Sequence, residues 1–526
     1  MTGPRTAGPA SPRLWSAGLA GLLLLTLPGA AQEKKRMVIQ RQDPQTSSAV
    51  DPALSLLPAP SSPLVVFRLQ FRIGAVDDPA EREGLNALTA QTIAEGGTAE
   101  LTYRQVLDRL YPMAATLRAQ PDREVTTFVA QVHRDHLRSF YGLLSGLLQT
   151  PRFDASDFRR SRDLLIAAIE TNLRGHDDED LGKEALNAFL FAGHPYGTPV
   201  IGTVRGLRSI TLDDVKTHYR RHYTRGNLLI GLAGGYAPAF PDQVWEDFRR
   251  LPDGSSPSRP LPAPPAIRGL EIFMVEKPGP TTAISIGAPL RVTRANRDYY
   301  ALLVANSCFG EHRTFNGRLV NAMRAARGLN YGDYSYIETF VQEGASTFPL
   351  ANIPRRQQTF SIWIRPVARE NAAFALRQAL RELKRLIDFG LTPEEFERTR
   401  RYLLNASRLW TQSLSRRLGF QMDGRFYGTV SLVDRLQEEL PKLRVENVNA
   451  AIRQHLDETN LKVAIVTDGP RGLVQELTSG RPTPITYQTP TADPLLLNED
   501  EEIASFPLPI NPDRLKIESA QAMFEF

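Results

Sequence analysis

Gly84-Leu85-Asn86-Ala87-Leu88-Thr89-Ala90-Gln91-Thr92-Ile93-Ala94-Glu95-Gly96-Gly97-Thr98 is the stretch on which the reading of this chain turns. It has the frame of a helix, yet Ala87 to Gln91 offer only methyl and isobutyl groups, a hydroxyl and a carboxamide. No imidazole or carboxylate stands there, so these five positions can neither hold a transition metal nor act as a general base.

Just upstream, Val65, Phe67, Leu69, Phe71 and Ile73 alternate with Val66, Arg68, Gln70 and Arg72. Period two predicts a half-buried strand, and a first domain over 63–250 begins with it. Downstream, Leu251-Pro252-Asp253-Gly254-Ser255-Ser256-Pro257 through Pro264-Pro265 cannot pair regularly, so 251–266 reads as a linker. The pattern then restarts. Ile272 to Val275 and Ala283 to Ile286 read as strands around a Pro278-Gly279 turn, and Arg297 to Cys308 reads as a helix.

Further on, Asn371 to Phe389 sets Phe374, Leu376, Leu380, Leu383 and Ile387 at helical spacing and stops at Gly390, read as an αL cap. Thr392-Pro393-Glu394-Glu395 opens the next helix with Thr as N-cap, Pro in the first turn and Glu closing a capping box. The expectation is an α+β fold of two similar domains, 63–250 and 267–480, each a mixed or antiparallel sheet packed with long helices.

The ends differ in composition. Arg5 and Arg13, the apolar run Leu14 to Leu27 and Pro28-Gly29-Ala30-Ala31 read as a secretory signal peptide over 1–31, with an uncleaved anchor as the alternative. Residues 32–62, rich in Gln, Ser and Pro, read as an extended arm, and the tail 481–526 is unassigned. The expected location is outside the cytoplasm, periplasmic or envelope-associated in a bacterium, with no transmembrane segment in the mature chain.

At 526 residues the chain exceeds one ordinary core, and 42% apolar with 23% charged residues is the balance of a soluble globular protein. Cys308 is the only cysteine and lies in an apolar stretch, so core packing must replace disulfides. The net charge of +5 is spread along the chain without a basic, aromatic-laced stripe, which argues against nucleic acid. Other polar clusters are His133 and His136, read as a strand-to-helix junction, and His176-Asp177-Asp178-Glu179-Asp180, read as an acidic solvated loop with calcium as the alternative. His194-Pro195-Tyr196 reads as a structural loop.

Gly74 to Asp78, Gly84-Leu85, Gly97-Thr98, His194-Pro195-Tyr196-Gly197, Tyr223-Thr224-Arg225-Gly226-Asn227 and Gly234-Gly235 resemble the N-terminal half of the pitrilysin/insulinase family of zinc metallopeptidases. Phe315-Asn316-Gly317-Arg318-Leu319, Arg324, Arg327-Gly328-Leu329-Asn330-Tyr331 and Gly390 to Phe396 resemble its C-terminal half. The likeness runs in the family's order over about residues 60 to 480.

Active members of that family use H-x-x-E-H on a helix: two His bind zinc and Glu activates the metal-bound water. Here the motif falls on Ala87 to Gln91, so Ala87 and Gln91 take the His positions and Ala90 the base position; the downstream Glu ligand falls on Ala168. The resemblance also implies an Arg/Tyr pair placed to meet substrate, here Arg324 and Tyr331, able to donate to a peptide carbonyl as it becomes an oxyanion.

The implied role is a non-catalytic subunit, half of a clam-shell, that binds no cofactor itself and pairs with an H-x-x-E-H chain holding the zinc, with peptides as substrates. The alternatives are a peptide-binding or scaffold protein of the cell envelope with no role in proteolysis, and an independent protease with a relocated site.

Overall fold

The first sheet is built from β1 (Leu54–Pro58), β2 (Leu64–Phe71), β3 (Thr116–Pro121), β4 (Thr126–His133) and β5 (Leu228–Gly234), in the spatial order β1-β5-β2-β4-β3. β1 runs parallel to β5, and the other pairs are antiparallel. The second contains β6 (Leu270–Glu276), β7 (Thr281–Leu290), β8 (Asp333–Tyr336), β9 (Gln358–Ala368), β10 (Leu461–Thr467) and β11 (Ile510–Ser519), in the order β11-β6-β10-β7-β9-β8. Without β11, this is the first sheet's topology repeated strand for strand, including the one parallel pair, β6 with β10. Two similar α+β halves, which the sequence expresses as pattern and not as identity, are thus plain in the fold.

This computed structural model describes residues 53–255, 260–314, 316–342, 344, 346–489 and 491–526. The leader 1–31 and the arm up to 52 lie outside the described residues. Leu54–Pro58, at the end of the segment expected as an arm, is an edge strand. The tail contributes a helix, Pro494–Ala504, and β11.

β2 departs from the half-buried expectation, because Val66, Arg68 and Gln70 are buried as fully as Val65, Phe67, Leu69 and Phe71. The first face packs against Phe128, Phe140, Ile230 and Phe248. The second is covered by the Leu414–Tyr427 helix of the other half, whose Leu418 and Met422 meet Val66, Leu229 and Ala233. Arg68 tolerates burial because its guanidinium donates to Ser415 O at 2.9 Å and Asn352 Oδ1 at 2.6 Å, while Gln70 donates to Thr127 Oγ1 at 3.1 Å.

The loan is returned. The Asp178–Leu190 helix of the first half lays Leu181, Ala185 and Leu186 on Phe273, Val275, Ala283, Ala464 and Val466 of the second sheet. That sheet's opposite face builds a core with the Arg297–Gly310 and Ala372–Phe389 helices. Each half therefore completes the other's sheet, and the described residues form one compact unit.

The Thr392 capping box is present, with Thr392 Oγ1 accepting from Glu395 N at 3.2 Å. Gly390, expected in αL, instead has φ 65 and ψ −152. That region is open essentially to glycine, and a Cβ there would also meet the Asn449 side chain at 2.3 Å.

Candidate functional site

The Leu85–Ala94 helix is fixed at its start by Asp78, whose carboxylate oxygens accept from Gly84 N and Asn86 N, each at 2.8 Å. Burial pushes the Asp78 carboxyl up to about 8, against the pull of those two bonds. Along the helix, Ala87 is 1% exposed and Leu88 and Ala90 are fully buried. Ala87 and Leu88 join the core beneath the exchanged Asp178–Leu190 helix, whereas Ala90 joins the core of the first sheet. Thr89 donates back to Leu85 O at 2.7 Å, and Gln91 donates along the surface to Glu95 at 3.4 Å.

Ala168 begins a nine-residue π-helix, Ala168–His176, that continues the Ala155–Ala167 helix. Glu170, two positions beyond, is turned outward and pairs with Arg208 at 2.8 Å. Among the described residues no group of three or more His, Cys, Asp or Glu side chains is arranged to hold a metal ion. Of the positions where a zinc-peptidase frame keeps its metal and base, Ala87 and Ala90 are therefore packed methyl groups and Gln91 and Ala168 are partly exposed, and none of these side chains fits zinc.

The acidic run is not a solvated loop as expected. Asp177 caps the Asp178–Leu190 helix by accepting from Asp180 N at 2.8 Å, and Asp178 pairs with Lys277 of the second half. Glu179 pairs with Lys183 at 2.9 Å and with Arg365 at 3.0 Å. His133 ends β4, and the Leu137–Gln149 helix starts just after His136. His194 is buried, its Nδ1 accepts from Tyr196 N at 2.9 Å, and Tyr196 Oη bonds Glu124, so these two contacts hold the loop, while His194 Nε2 is buried without a hydrogen-bond partner among the described residues.

Arg324 and Tyr331 meet. Arg324 lies on a second π-helical segment, Val320–Ala325, and its guanidinium stands 4.3 Å from the centre of the Tyr331 ring. Tyr331 is 65% exposed in the loop before β8, so its phenol faces outward and is not strand packing. The loop is held by Asn330, whose Nδ2 donates to Asp333 Oδ1 at 2.7 Å and Arg365 O at 2.9 Å. Asn330 Oδ1 accepts from Gly332 N at 3.1 Å. Asp333 itself is fully buried, and burial pushes its carboxyl up to about 7 although Asn330 and Arg365 pull the other way.

Arg365 completes this cluster, its guanidinium 5.8 Å from the Tyr331 ring and its Nε on Glu179 of the opposite half. Sequence reasoning missed Arg365 and read Glu179 only as part of an acidic run. The only signal was the acidic run itself, since such a concentration of charge needs cations.

The two halves of the chain match two described domains in sequence order. Residues 56–204 match Insulinase (Peptidase family M16), and residues 209–403 match Peptidase M16 inactive domain. The chain belongs to the insulinase family. It is a member without the catalytic motif.

Among similar proteins, "Non-peptidase homolog YmxG" of Helicobacter pylori is 22% identical over 413 residues, 77% of this chain and 89% of that one. An uncharacterized zinc protease of Mycobacterium tuberculosis is 25% identical over 366 residues, 69% of this chain and 78% of the relative. The crystal structure of a peptidase M16 inactive domain from Pseudomonas fluorescens superposes with a TM-score of 0.68 at 21% identity, covering 79% of this chain and 95% of that one. No helix of the described residues is long and apolar enough to cross a membrane.

Proposed function

We propose that this insulinase-family chain is the metal-free subunit of a zinc peptidase, exported to the periplasm or cell envelope and paired with an H-x-x-E-H chain. One contrast supports this reading above all. The first His position and the base position, Ala87 and Ala90, are at most 1% exposed, and no metal-binding side chain stands at Gln91 or Ala168, while Tyr331, stacked on Arg324, keeps 65% of its surface open. In this reading the partner supplies the zinc-bound water, and Arg324 and Tyr331 donate to the peptide carbonyl as charge develops on its oxygen. An extended peptide would be held by main-chain hydrogen bonds along a strand edge, leaving side chains to choose among sequences.

The test is a native mass spectrum of the mature protein captured gently from its own cell envelope. A complex with a second chain of similar mass and one zinc ion supports the reading. A metal-free homo-oligomer, or a much larger assembly, removes it in favour of a scaffold.

A further inference from the structure

Tyr331 is met by two guanidinium groups, Arg324 at 4.3 Å and Arg365 at 5.8 Å from its ring centre. Arg365 is 32% exposed, and its nearest approach to Glu179 is from Nε to Oε2 at 3.0 Å. The surrounding groups carry both signs. Lys183 sits 4.2 Å over the Trp363 ring, Arg313 lies close enough to Tyr334 and Tyr336 to act on both phenols, and Glu179 is shared between Lys183 and Arg365. Asp180 also pairs with Lys183, at 2.8 Å, and Asp333 is fully buried beneath the loop and bonded to Asn330.

Position matters as much as charge. Arg365 is on β9, next to edge strand β8, and its carbonyl anchors the Asn330 side chain at the base of the Tyr331 loop. Glu179 reaches it from the helix the first half lends to the second sheet. A guanidinium gripped at Nε by one carboxylate keeps its two terminal nitrogens as a fork, the geometry that accepts a second carboxylate with paired hydrogen bonds.

We propose that Arg365 is a specificity-determining residue that takes a carboxylate of the bound peptide, an acidic side chain or the C-terminal carboxylate, beside the Tyr331 ring. Glu179 is its positioning residue. This inference rests on the reading that peptide meets Arg324 and Tyr331. It adds a preference that neither of those residues supplies and assigns a task to the first half of the chain.

The experiment uses four labelled extended peptides: a central Glu or its Gln isostere, each with a free or an amidated C-terminus. Their binding to the complete chain, and to its native complex, is followed by fluorescence anisotropy. The wild type is expected to lose about tenfold in affinity when the recognised carboxylate is neutralised, and the peptide pair showing the loss identifies its source. Arg365→Gln should erase that preference while leaving the neutral peptide's affinity in place, Arg365→Lys should keep part of it, and Glu179→Gln should weaken it.

Equal binding of all four peptides, or a preference that survives in Arg365→Gln, overturns the inference. The underlying reading then stands if Arg324→Ala or Tyr331→Phe still weakens the neutral peptide. Absence of binding by all four, to chain and complex alike, overturns both.

Discussion

Arg355 of the second half donates to both carboxylate oxygens of Asp122 of the first, at 2.8 and 3.2 Å. Beside the pair lies Arg123, 2% exposed and donating to Thr198 O at 2.5 Å. Burial foremost, and then the Arg355 charge, pull the Arg123 guanidinium down to about 10. Glu184 stands farther off, 3.9 Å from Arg123, so Asp122 is the acid that directly bonds Arg355 and the more costly member to remove. Asp122→Asn is expected to destabilise by about 3–5 kcal/mol, the usual toll of orphaning a buried charge, and Arg355→Gln by less. Urea unfolding of both variants checks the order, and a smaller loss for Asp122→Asn contradicts it.

Asp333 sets a pH dependence of known sign. Its carboxyl is raised from 3.8 to about 7 in the folded chain, and Oδ2 has no hydrogen-bond partner. The folded state therefore holds this proton more tightly than the unfolded chain. Its contribution is fully present below about pH 4 and is lost as pH rises through about 7. Asp333→Asn keeps the acceptor that Asn330 uses and removes the charge. Its stability relative to wild type should rise from pH 4 to pH 7 and level off by pH 8, with a gain on the order of 2–4 kcal/mol. Parallel unfolding curves at these pH values read the difference directly, and a constant difference would sink the assignment.

Local pattern carried the architecture further than it carried the site. Alternation in 65–73 and the Thr392 capping box are short-range signals, and both elements stand where expected. Burial of Arg68 was illegible because its cover, the Leu414–Tyr427 helix, lies more than 300 residues away in sequence. The acidic residues Asp177 to Glu179 were misread for the same reason, since Lys277 and Arg365 come from the other half. Absence of metal ligands could be read from residue types alone, whereas the grouping of Glu179, Arg365 and Tyr331 requires the fold.

The packing of the Leu85–Ala94 helix predicts how an attempt to restore zinc will fail. Ala87→His and Ala90→Glu would press larger polar side chains into positions at most 1% exposed, and Gln91→His alone is partly open. Position 168 would still lack a ligand. The triple variant should be less stable than wild type by more than about 2 kcal/mol and hold no equimolar zinc after dialysis, measured by thermal unfolding and elemental analysis. The wild-type chain should likewise carry no stoichiometric zinc. Equimolar, chelator-sensitive metal in either would overturn the account of this helix.

Tyr331 offers the cleanest separation of function from stability. At 65% exposure its hydroxyl contributes little to packing, so Tyr331→Phe should unfold within about 0.5 kcal/mol of wild type. Arg324 is only partly exposed, so Arg324→Ala is compared with wild type for stability before its kinetics are read. In the assembled complex either change should slow peptide cleavage, since a lost donor to a developing oxyanion costs about 10²–10³ in kcat at a fully formed site and less at an exposed one. Assembly should be unaffected, as judged by the mass of the complex. A fall in kcat with KM unchanged places the contact in the transition state; a rise in KM alone places it in binding the ground state. Unchanged turnover in both variants, with the complex intact, would leave the chain a wall of the chamber and no part of its chemistry.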